Sequence, residues 1–191
     1  FIRLSGIRAC ADCDVDAPNL HLVNGRFDSH QSVPYIGLPG ADIDPALCFA
    51  CGACANACRF DAITPGMPYQ VNPYACEGCG VCALVCPADA ITMKERQAGR
   101  MTLYRRDDAV FSTAILSTGS GTSGLLVSQV KKRMKEAARE DIAFSIVDGS
   151  PGIGCPVIAT LSGADVTLIV TEPSLSGISD LSRIVKTARG F

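Results

Sequence analysis

Three short apolar runs along the chain predict buried β-strands. They lie at residues 7–13, 142–147 and 166–171. Two other segments carry apolar side chains at helical spacing, residues 123–139 and 175–188. Apolar strands that alternate with helices are typical of a parallel sheet covered by helices on both faces, so we expect an α/β fold for the outer parts of the chain.

An internal repeat lies between the first predicted strand and the first predicted helix. Each copy has the spacing Cys-x2-Cys-x2-Cys-x3-Cys and ends in Asp-Ala-Ile-Thr, and the two copies are offset by 28 residues, as from Cys48 to Cys76. The repeated cysteines are Cys48, Cys51, Cys54 and Cys58 in the first copy and Cys76, Cys79, Cys82 and Cys86 in the second. Such a doubled spacing indicates two metal sites built by one small module.

The spacing within each copy suits the corners of a cubane cluster. Three thiolates two residues apart wrap one [4Fe–4S] cluster in a tight loop, and Gly52 and Gly80 let that loop bend without a Cβ clash. The fourth cysteine is expected to start a short helix that points away and to ligate the other cluster. The predicted ligand sets are Cys48, Cys51, Cys54 and Cys86 for one cluster and Cys76, Cys79, Cys82 and Cys58 for the other. The Ala-Ile-Thr segments are expected to be short strands that close the module.

The composition of the chain limits which kinds of cysteine site and which partners are expected. The 191 residues include eleven cysteines, an odd number that cannot pair completely into disulfides, and zinc sites rarely use eight cysteines in this arrangement. The net charge of −2 gives no indication of a nucleic-acid partner. No run of about 18 apolar residues predicts a transmembrane segment, and no signal peptide is evident, so we expect a cytoplasmic protein. Both ends of the chain suggest a fragment of a longer protein.

Over residues 40–96 the repeat resembles the bacterial two-cluster ferredoxin family. One position departs from the family pattern, because Arg59 follows Cys58 where the family usually has the proline seen at Pro87. Proline there would shape a helix start and is not a ligand. The cysteine sites are therefore kept, and a cation at Arg59 is expected to raise the potential of its cluster slightly.

The flanking segments resemble the MinD/Mrp/ParA group of P-loop ATPases, in the members that carry an inserted ferredoxin domain. The matching segments are residues 12–22, 148–157 and 171–177. The resemblance implies a P-loop NTPase-type parallel sheet interrupted by a small α+β ferredoxin-like insert. The implied domains are residues 1–39 and 97–191 for the ATPase-like part and residues 40–96 for the insert.

The same resemblance implies a Mg-ATP site. Asp12 and Asp14 match the switch I segment, which positions magnesium and the attacking water, and Asp148 matches the Walker B aspartate. Pro151 and Gly152 match switch II, which senses the γ-phosphate. Asp14 and Asp148 are therefore the expected catalytic residues, although the aspartates near residue 12 also suit plain turn and cap roles.

The phosphate-binding loop of that family is missing from these residues. The glycine-rich segment 119–124 precedes a helix but lacks the G-x4-G-K-[ST] pattern, and we predict an ordinary loop there. The expected Walker A loop would lie before Phe1, so the chain alone should bind ATP poorly.

The remaining candidate residues have simpler interpretations. Cys10 and Cys13 are predicted to be core residues on opposite faces of a strand. Cys155 is predicted to be a packed thiol near a helix start, with a third metal site shared between subunits as the alternative. His21 and His30 are isolated and are not expected to be ligands. The basic run 131–133 is expected to be a solvated helix face, with docking of an acidic partner as the alternative.

Three functions are compatible with these patterns. The first is an ATP-dependent iron–sulfur protein that delivers electrons to a partner enzyme or takes part in metallocluster assembly. The second is a ferredoxin-type electron carrier on a degenerate scaffold without ATP turnover. The third is a positioning ATPase whose clusters sense redox state. The expected partners are a redox or metallocluster protein and, by analogy with the ATPase family, a second copy in a homodimer.

Overall fold

The computed structural model describes residues 2–25 and 27–191, which form two compact units. The larger unit comprises Phe1–Val33, Arg100–Leu116 and Ser123–Phe191, and the smaller comprises Pro34–Gly99 and Ser117–Thr122. Phe1 and Arg26 lie outside the described residues. Each unit is considered by itself below.

The described residues form short strands and mostly short helices. The strands are β1 (Ala9–Asp12), β2 (Ser29–Ile36), β3 (Gly40–Ile43), β4 (Ile63–Thr64), β5 (Gln70–Val71), β6 (Ile91–Lys94), β7 (Gln97–Arg106), β8 (Ala109–Leu116) and β9 (Ile146–Asp148). The α-helices are α1 (Ile2–Ser5), α2 (Ala53–Ala57), α3 (Val81–Leu84), α4 (Ser123–Ala137), α5 (Cys155–Leu161) and α6 (Leu175–Ala188), and Leu20–Leu22 form a 3-10 turn. No helix among these residues combines the length and apolarity needed to cross a bilayer.

The principal sheet is mixed, with the strand order β2-β7-β8-β1-β9. Strand β1 pairs in parallel with both β8 and β9. Only Asp107 and Asp108 separate β7 from its neighbour β8, a connection that is long enough for an antiparallel hairpin but not for a parallel crossover. The α/β character expected from the sequence is therefore present, whereas the expectation of an entirely parallel sheet is wrong at the β7–β8 side.

Two of the three predicted strands differ from expectation. Only the end of the run 142–147 lies in β9. Strand β9 pairs with β1, which is four residues long, and the pairing extends from Cys10 opposite Ile146 to Asp12 opposite Asp148. The run 166–171 forms no strand in the described chain. Its apolar side chains are open to solvent, at 86% for Val166, 74% for Leu168 and 85% for Val170. A strand needs a hydrogen-bonding neighbour, and none of the described strands pairs with this segment.

Helix α4 supplies much of the core of the larger unit. Its apolar face buries Leu126, Val127, Val130 and Met134, as helical spacing predicts, and the helix packs against β1, β8 and α5. Cys10 of β1 packs with Leu20 and Phe111 in a separate apolar cluster.

Lys131 contradicts the prediction of a solvated basic face on α4. Its side chain is only 8% exposed, and Nζ donates hydrogen bonds to the carbonyls of Ala159 (2.9 Å), Thr160 (2.7 Å) and Ser162 (2.6 Å). These carbonyls lie at the end of α5, where helix groups lack internal partners, so the lysine acts as a charged cap for that helix.

The smaller unit has approximate internal symmetry. Strand β3 pairs antiparallel with β6, and β4 pairs antiparallel with β5. The Ile-Thr pairs that close the two repeats fall in β4 and β6, as predicted. A core of Cys54, Ile63, Cys82 and Ile91 is formed by matching residues of the two repeats.

Candidate metal centres

Each cysteine motif begins with the same side-chain turn. Asp44 accepts a hydrogen bond on Oδ1 from the amide of Ala46 (2.8 Å), and Asn72 accepts one from the amide of Tyr74 (2.9 Å). The carbonyls of Asp44 and Asn72 then accept from the amides of Cys48 and Cys76, both at 3.1 Å. Asp and Asn form such turns readily, and they fix the direction in which the first cysteine leaves.

The two binding loops share an unusual backbone conformation. Gly52 and Gly80 have φ values of 81° and 76°, in the left-handed region that glycine enters without a steric penalty. Gly78 also has a positive φ of 67°, and a Cβ atom on it would lie 2.2 Å from the carbonyl oxygen of Pro39. The role expected of the repeated glycines is therefore met by their geometry.

The position of the fourth cysteine in each motif differs from expectation. Cys58 follows α2 and Cys86 follows α3 after one further residue, so neither begins a helix. The helices instead begin immediately after Gly52 and Gly80 and carry the third cysteines, Cys54 and Cys82. Arg59 therefore lies beyond a helix end, and the proline usual at this position does not shape a helix start here.

Eight cysteines line two separate cavities. The Cys48 cavity is lined by Cys48, Cys51, Cys54 and Cys86. The Cys76 cavity is lined by Cys76, Cys79, Cys82 and Cys58. Each cavity thus brings together three cysteines of one motif and the fourth cysteine of the other. The walls are otherwise largely apolar and include Ile43, Phe49, Tyr69 and Ile91 in the first cavity and Ala41, Phe60, Ile63 and Met93 in the second.

Backbone amides support the fourth cysteine of each set. The amide of Ala62 donates to Cys58 Sγ at 3.4 Å, and the amide of Ala90 donates to Cys86 Sγ at 3.3 Å. Such bonds orient a metal-ligating sulfur and stabilise its negative charge. The sequence pointed to these contacts only indirectly, through the repeated Asp-Ala-Ile-Thr ending that contains both alanines.

The buried third cysteines also suit a positively charged metal centre. Burial raises the pKa of the Cys54 and Cys82 thiols, because an isolated thiolate is poorly solvated there. Coordination to iron offsets that cost, because a coordinated thiol is deprotonated. In the described residues no three His, Cys, Asp or Glu side chains are arranged to hold a single metal ion. Cysteines spread around a cavity fit a multi-iron cluster better than a mononuclear zinc site.

The predicted nucleotide residues lie in the larger unit at the carboxyl ends of β1 and β9. Asp12 and Asp148 are register partners on these parallel strands, and the amide of Cys13 donates to the carbonyl of Asp148 at 2.8 Å. The buried carboxylate of Asp12 accepts from the amides of Asp14 (3.1 Å) and Leu20 (2.9 Å). Asp12 therefore holds the following turn in place, as its alternative interpretation anticipated.

The surroundings of Asp12 and Asp148 disfavour the charged forms of these two side chains. Burial is the main cause of the raised pKa of Asp12, and the charge of Asp14 adds to it. Burial also raises the pKa of Asp148, followed by the charges of Asp12 and Asp14. Carboxylates that oppose one another at the end of a parallel sheet are suited to a cation or its bound waters.

The other candidate residues are scattered. Pro151 and Gly152 lie in the exposed turn between β9 and α5, where Gly152 has a φ of 97°. Cys155 is exposed at the first position of α5, contrary to the expected packed thiol. Cys10 and Cys13 are buried, and burial raises the pKa of Cys13 to about 12. This environment suits an inert core thiol rather than a metal ligand.

The cysteine repeats match a known domain family. Residues 41–64 and 69–92 each match the family described as "4Fe-4S binding domain". The chain therefore contains a ferredoxin-type domain, and its two motifs indicate two [4Fe–4S] clusters.

Two relatives extend beyond this domain. The chain is 36% identical over 184 residues to uncharacterized protein MJ0578 of Methanocaldococcus jannaschii, a match that covers 94% of this chain and 62% of that protein. It is 28% identical over 179 residues to uncharacterized protein MJ0579 of the same organism, covering 93% of this chain and 63% of the relative. The chain thus spans somewhat less than two thirds of the length of these relatives.

Proposed function

We propose that this protein transfers electrons through two [4Fe–4S] clusters held by crossed cysteine sets. The observation that carries the proposal is that Cys86 lines the cavity of the first motif and Cys58 lines the cavity of the second. The proposed ligands are Cys48, Cys51, Cys54 and Cys86 at one centre and Cys76, Cys79, Cys82 and Cys58 at the other. When bound, each cluster would supply a site that accepts and releases one electron.

The residues around the cysteines support this role in three ways. The left-handed turns at Gly52 and Gly80 set the path of the loops that carry the thiolates. The amides of Ala62 and Ala90 stabilise negative charge on the fourth sulfur of each set. The largely apolar walls place few polar groups around the sulfur atoms, and such surroundings affect the potential of a metal centre. A redox protein that docks on the smaller unit is the proposed partner.

Iron and sulfide analysis tests this proposal. Protein purified or reconstituted without oxygen should contain eight iron and eight acid-labile sulfide ions per chain, four of each for every matched motif. It should be brown and should bleach when dithionite reduces it. Stoichiometric zinc without acid-labile sulfide would contradict the proposal.

A finer proposal concerns the larger unit, which we infer to be part of a P-loop NTPase domain of the MinD type. The support is the parallel arrangement of β8, β1 and β9 with Asp12, Asp14 and Asp148 near the strand ends. In this role Asp148 would hold the water shell of magnesium, Asp14 would orient the attacking water, and Asp12 would position the turn. Pro151 and Gly152 would sense whether the γ-phosphate of the nucleotide is present. The corresponding proposed domains are residues 1–39 and 97–191, with the ferredoxin domain at residues 40–96.

The free edge of the sheet provides additional support for this fold. Strand β9 pairs only with β1 among the described strands, and the extended apolar run 166–171 is left without a pairing strand. A further strand beside β9 would form hydrogen bonds with the backbone N–H and C=O groups on the open edge of β9. It would also cover the exposed apolar side chains of the run 166–171. We propose that the longer protein supplies this strand together with the phosphate-binding loop, since the relatives contain additional length.

Nucleotide binding by the longer protein tests the finer proposal. Mg-ATP should bind and be hydrolysed slowly, Asp148→Asn should weaken magnesium-dependent binding, and Asp14→Asn should reduce hydrolysis more than binding. Calorimetry and phosphate release measure the two effects separately. A longer protein that holds both clusters but binds no nucleotide would favour the ferredoxin-type carrier without ATP turnover.

A further inference from the structure

Inside the binding loops, the two halves of the cysteine module differ in charge at one position. Phe49 lies between the first and second cysteines of the first motif, and Glu77 occupies the equivalent position of the second. Each residue lines the cavity of its own motif, so the repeat places an aromatic residue in one binding loop and an acidic residue in the other.

The other described residues that line the two cavities add no charge to either one. The Cys48 cavity has no Asp, Glu, Lys or Arg among its described lining residues. Glu77 is the one charged side chain among the described lining residues of the Cys76 cavity. The amide bonds to Cys58 and Cys86 are nearly identical in length, so they do not offset the difference between the two centres.

The glycine-rich loop explains how Glu77 is accommodated. A Cβ atom on Gly121 would lie 2.9 Å from Glu77 Oε2, and one on Gly119 would lie 3.2 Å from the carbonyl oxygen of Tyr74. The loop 117–122 belongs to the same unit as both cysteine motifs and packs on the second binding loop. Because Gly119 and Gly121 have no side chains, the loop can pack this closely. The glycine-rich segment therefore has a structural role, although it lacks the phosphate-binding pattern.

Reduction of a [4Fe–4S] centre adds one electron and forms or breaks no bond. The centre becomes more negative, so a neighbouring carboxylate opposes reduction and lowers the potential. We propose that the two centres have unequal reduction potentials because of Phe49 and Glu77. An electron from a low-potential one-electron donor then resides mainly at the Cys48 cavity, and the Cys76 cavity is reduced second. This inference rests on the proposed presence of two clusters.

Arg59 opposes this assignment and provides a way to test it. It follows Cys58, a residue of the Cys76 cavity, and its positive charge would favour reduction there. Arg96 opposes it as well, because its guanidinium donates to the carbonyl of Cys76 at 3.3 Å. Neither arginine lines the cavity, whereas Glu77 does. We expect the lining residue to have the larger effect, since Coulomb interactions weaken with distance and exposed charges are screened by salt. If the two arginines dominated, the order of the two potentials would be reversed.

A redox titration of the cluster-loaded chain, followed by electron paramagnetic resonance, tests the proposal. We expect two resolved one-electron steps. Glu77→Gln should raise the lower step alone and increase the ratio of reduced to oxidised centres at a fixed potential by about threefold to tenfold. A tenfold change corresponds to about 59 mV for one electron. Phe49→Glu should lower the upper step alone, with Phe49→Gln as its uncharged counterpart.

Glu95→Gln is the matched control, because it removes the same charge from the same unit at an exposed residue that lines neither cavity. It should leave both steps nearly unchanged. Coincident steps in the parent protein would overturn the inference, as would Glu77→Gln shifting the upper step or neither step. Iron and sulfide analysis of every variant separates these outcomes from failure of the proposed function, in which the parent protein would hold no clusters.

Discussion

Lys131 Nζ donates a 2.6 Å hydrogen bond to the carbonyl of Ser162, immediately beyond the last residue of α5. The same ammonium group also bonds the carbonyls of Ala159 and Thr160. Burial lowers the pKa of Lys131, and the nearby Cys13 partly counters this effect. One buried cation thus joins α4 to the end of α5 in the larger unit.

Replacing Lys131 with methionine should destabilise the protein. Methionine fills a similar volume but leaves three carbonyls without their donor, at a cost of about 1–3 kcal/mol in the free energy of unfolding. Lys132→Met is the control. Among the described residues, Lys132 forms an exposed pair with Glu136 at 3.7 Å and no other ion pair, so its loss should cost less than about 0.5 kcal/mol. Urea unfolding of the cluster-loaded proteins measures both, and equal losses would contradict the capping role.

The crossed arrangement of the cavities predicts crossed effects of cysteine substitutions. Cys58→Ala should impair the centre of the Cys76 cavity and leave the centre of the Cys48 cavity intact, and Cys86→Ala should do the reverse. Each variant should lose up to half of the iron. The redox and magnetic signals of the surviving centre identify which one was lost. If Cys58→Ala instead impaired the centre of the Cys48 cavity, or Cys86→Ala the centre of the Cys76 cavity, the cysteines that line each cavity would not be the ligands of one cluster.

The buried cysteines outside the repeat should affect stability without affecting metal content. Cys10→Ala and Cys13→Ala each remove a buried sulfur, and we expect a loss of about 1 kcal/mol or somewhat more in the free energy of unfolding. Iron and sulfide content should match the parent protein. Cys54→Ala, which removes a lining thiol of the Cys48 cavity, is the positive control for iron loss. Iron loss from either variant would indicate that its thiol contributes to a metal site.

The cysteine module could be predicted from sequence because its structure is set locally. The spacing of the cysteines, the glycines with positive φ and the polar turn residues all act within a few residues, and the repeat shows them twice. The start of the short helices was misplaced because the left-handed residues Gly52 and Gly80, rather than the fourth cysteines, determine where those helices begin.

The larger unit was less predictable because its features depend on distant partners. Lys131 lies in a basic run that resembles a solvated face, and only the location of the α5 carbonyls explains its burial. Strand β2 has a mainly polar sequence that gives no strong strand pattern, yet it pairs at the sheet edge beside β7. The run 166–171 has the composition of a strand but no pairing strand in the described chain. Local pattern cannot supply these tertiary relationships.

Asp148 should limit the stability of the larger unit at neutral pH. Its folded-state pKa is raised above the ordinary value of 3.8, first by burial and then by Asp12 and Asp14. The folded protein therefore holds a proton more tightly than the unfolded chain. The stability that protonation contributes is fully present below about pH 3.8 and is lost as the pH rises through the raised pKa. At neutral pH the ionised carboxylate is a net cost.

Asp148→Asn should consequently stabilise the protein at pH 8, by a few tenths to about 1 kcal/mol for a partly solvated charge. The gain should shrink as the pH is lowered from 8 towards the ordinary carboxyl value of 3.8, because the parent carboxyl takes up a proton as the pH falls through its raised pKa. Asp16→Asn, at an exposed position of the adjacent segment, should give a smaller and less pH-dependent effect. Urea unfolding across this pH range measures the difference. If Asp148→Asn were destabilising at every pH, the carboxylate would have a structural partner, and its proposed role in holding magnesium-bound water would lose its electrostatic basis.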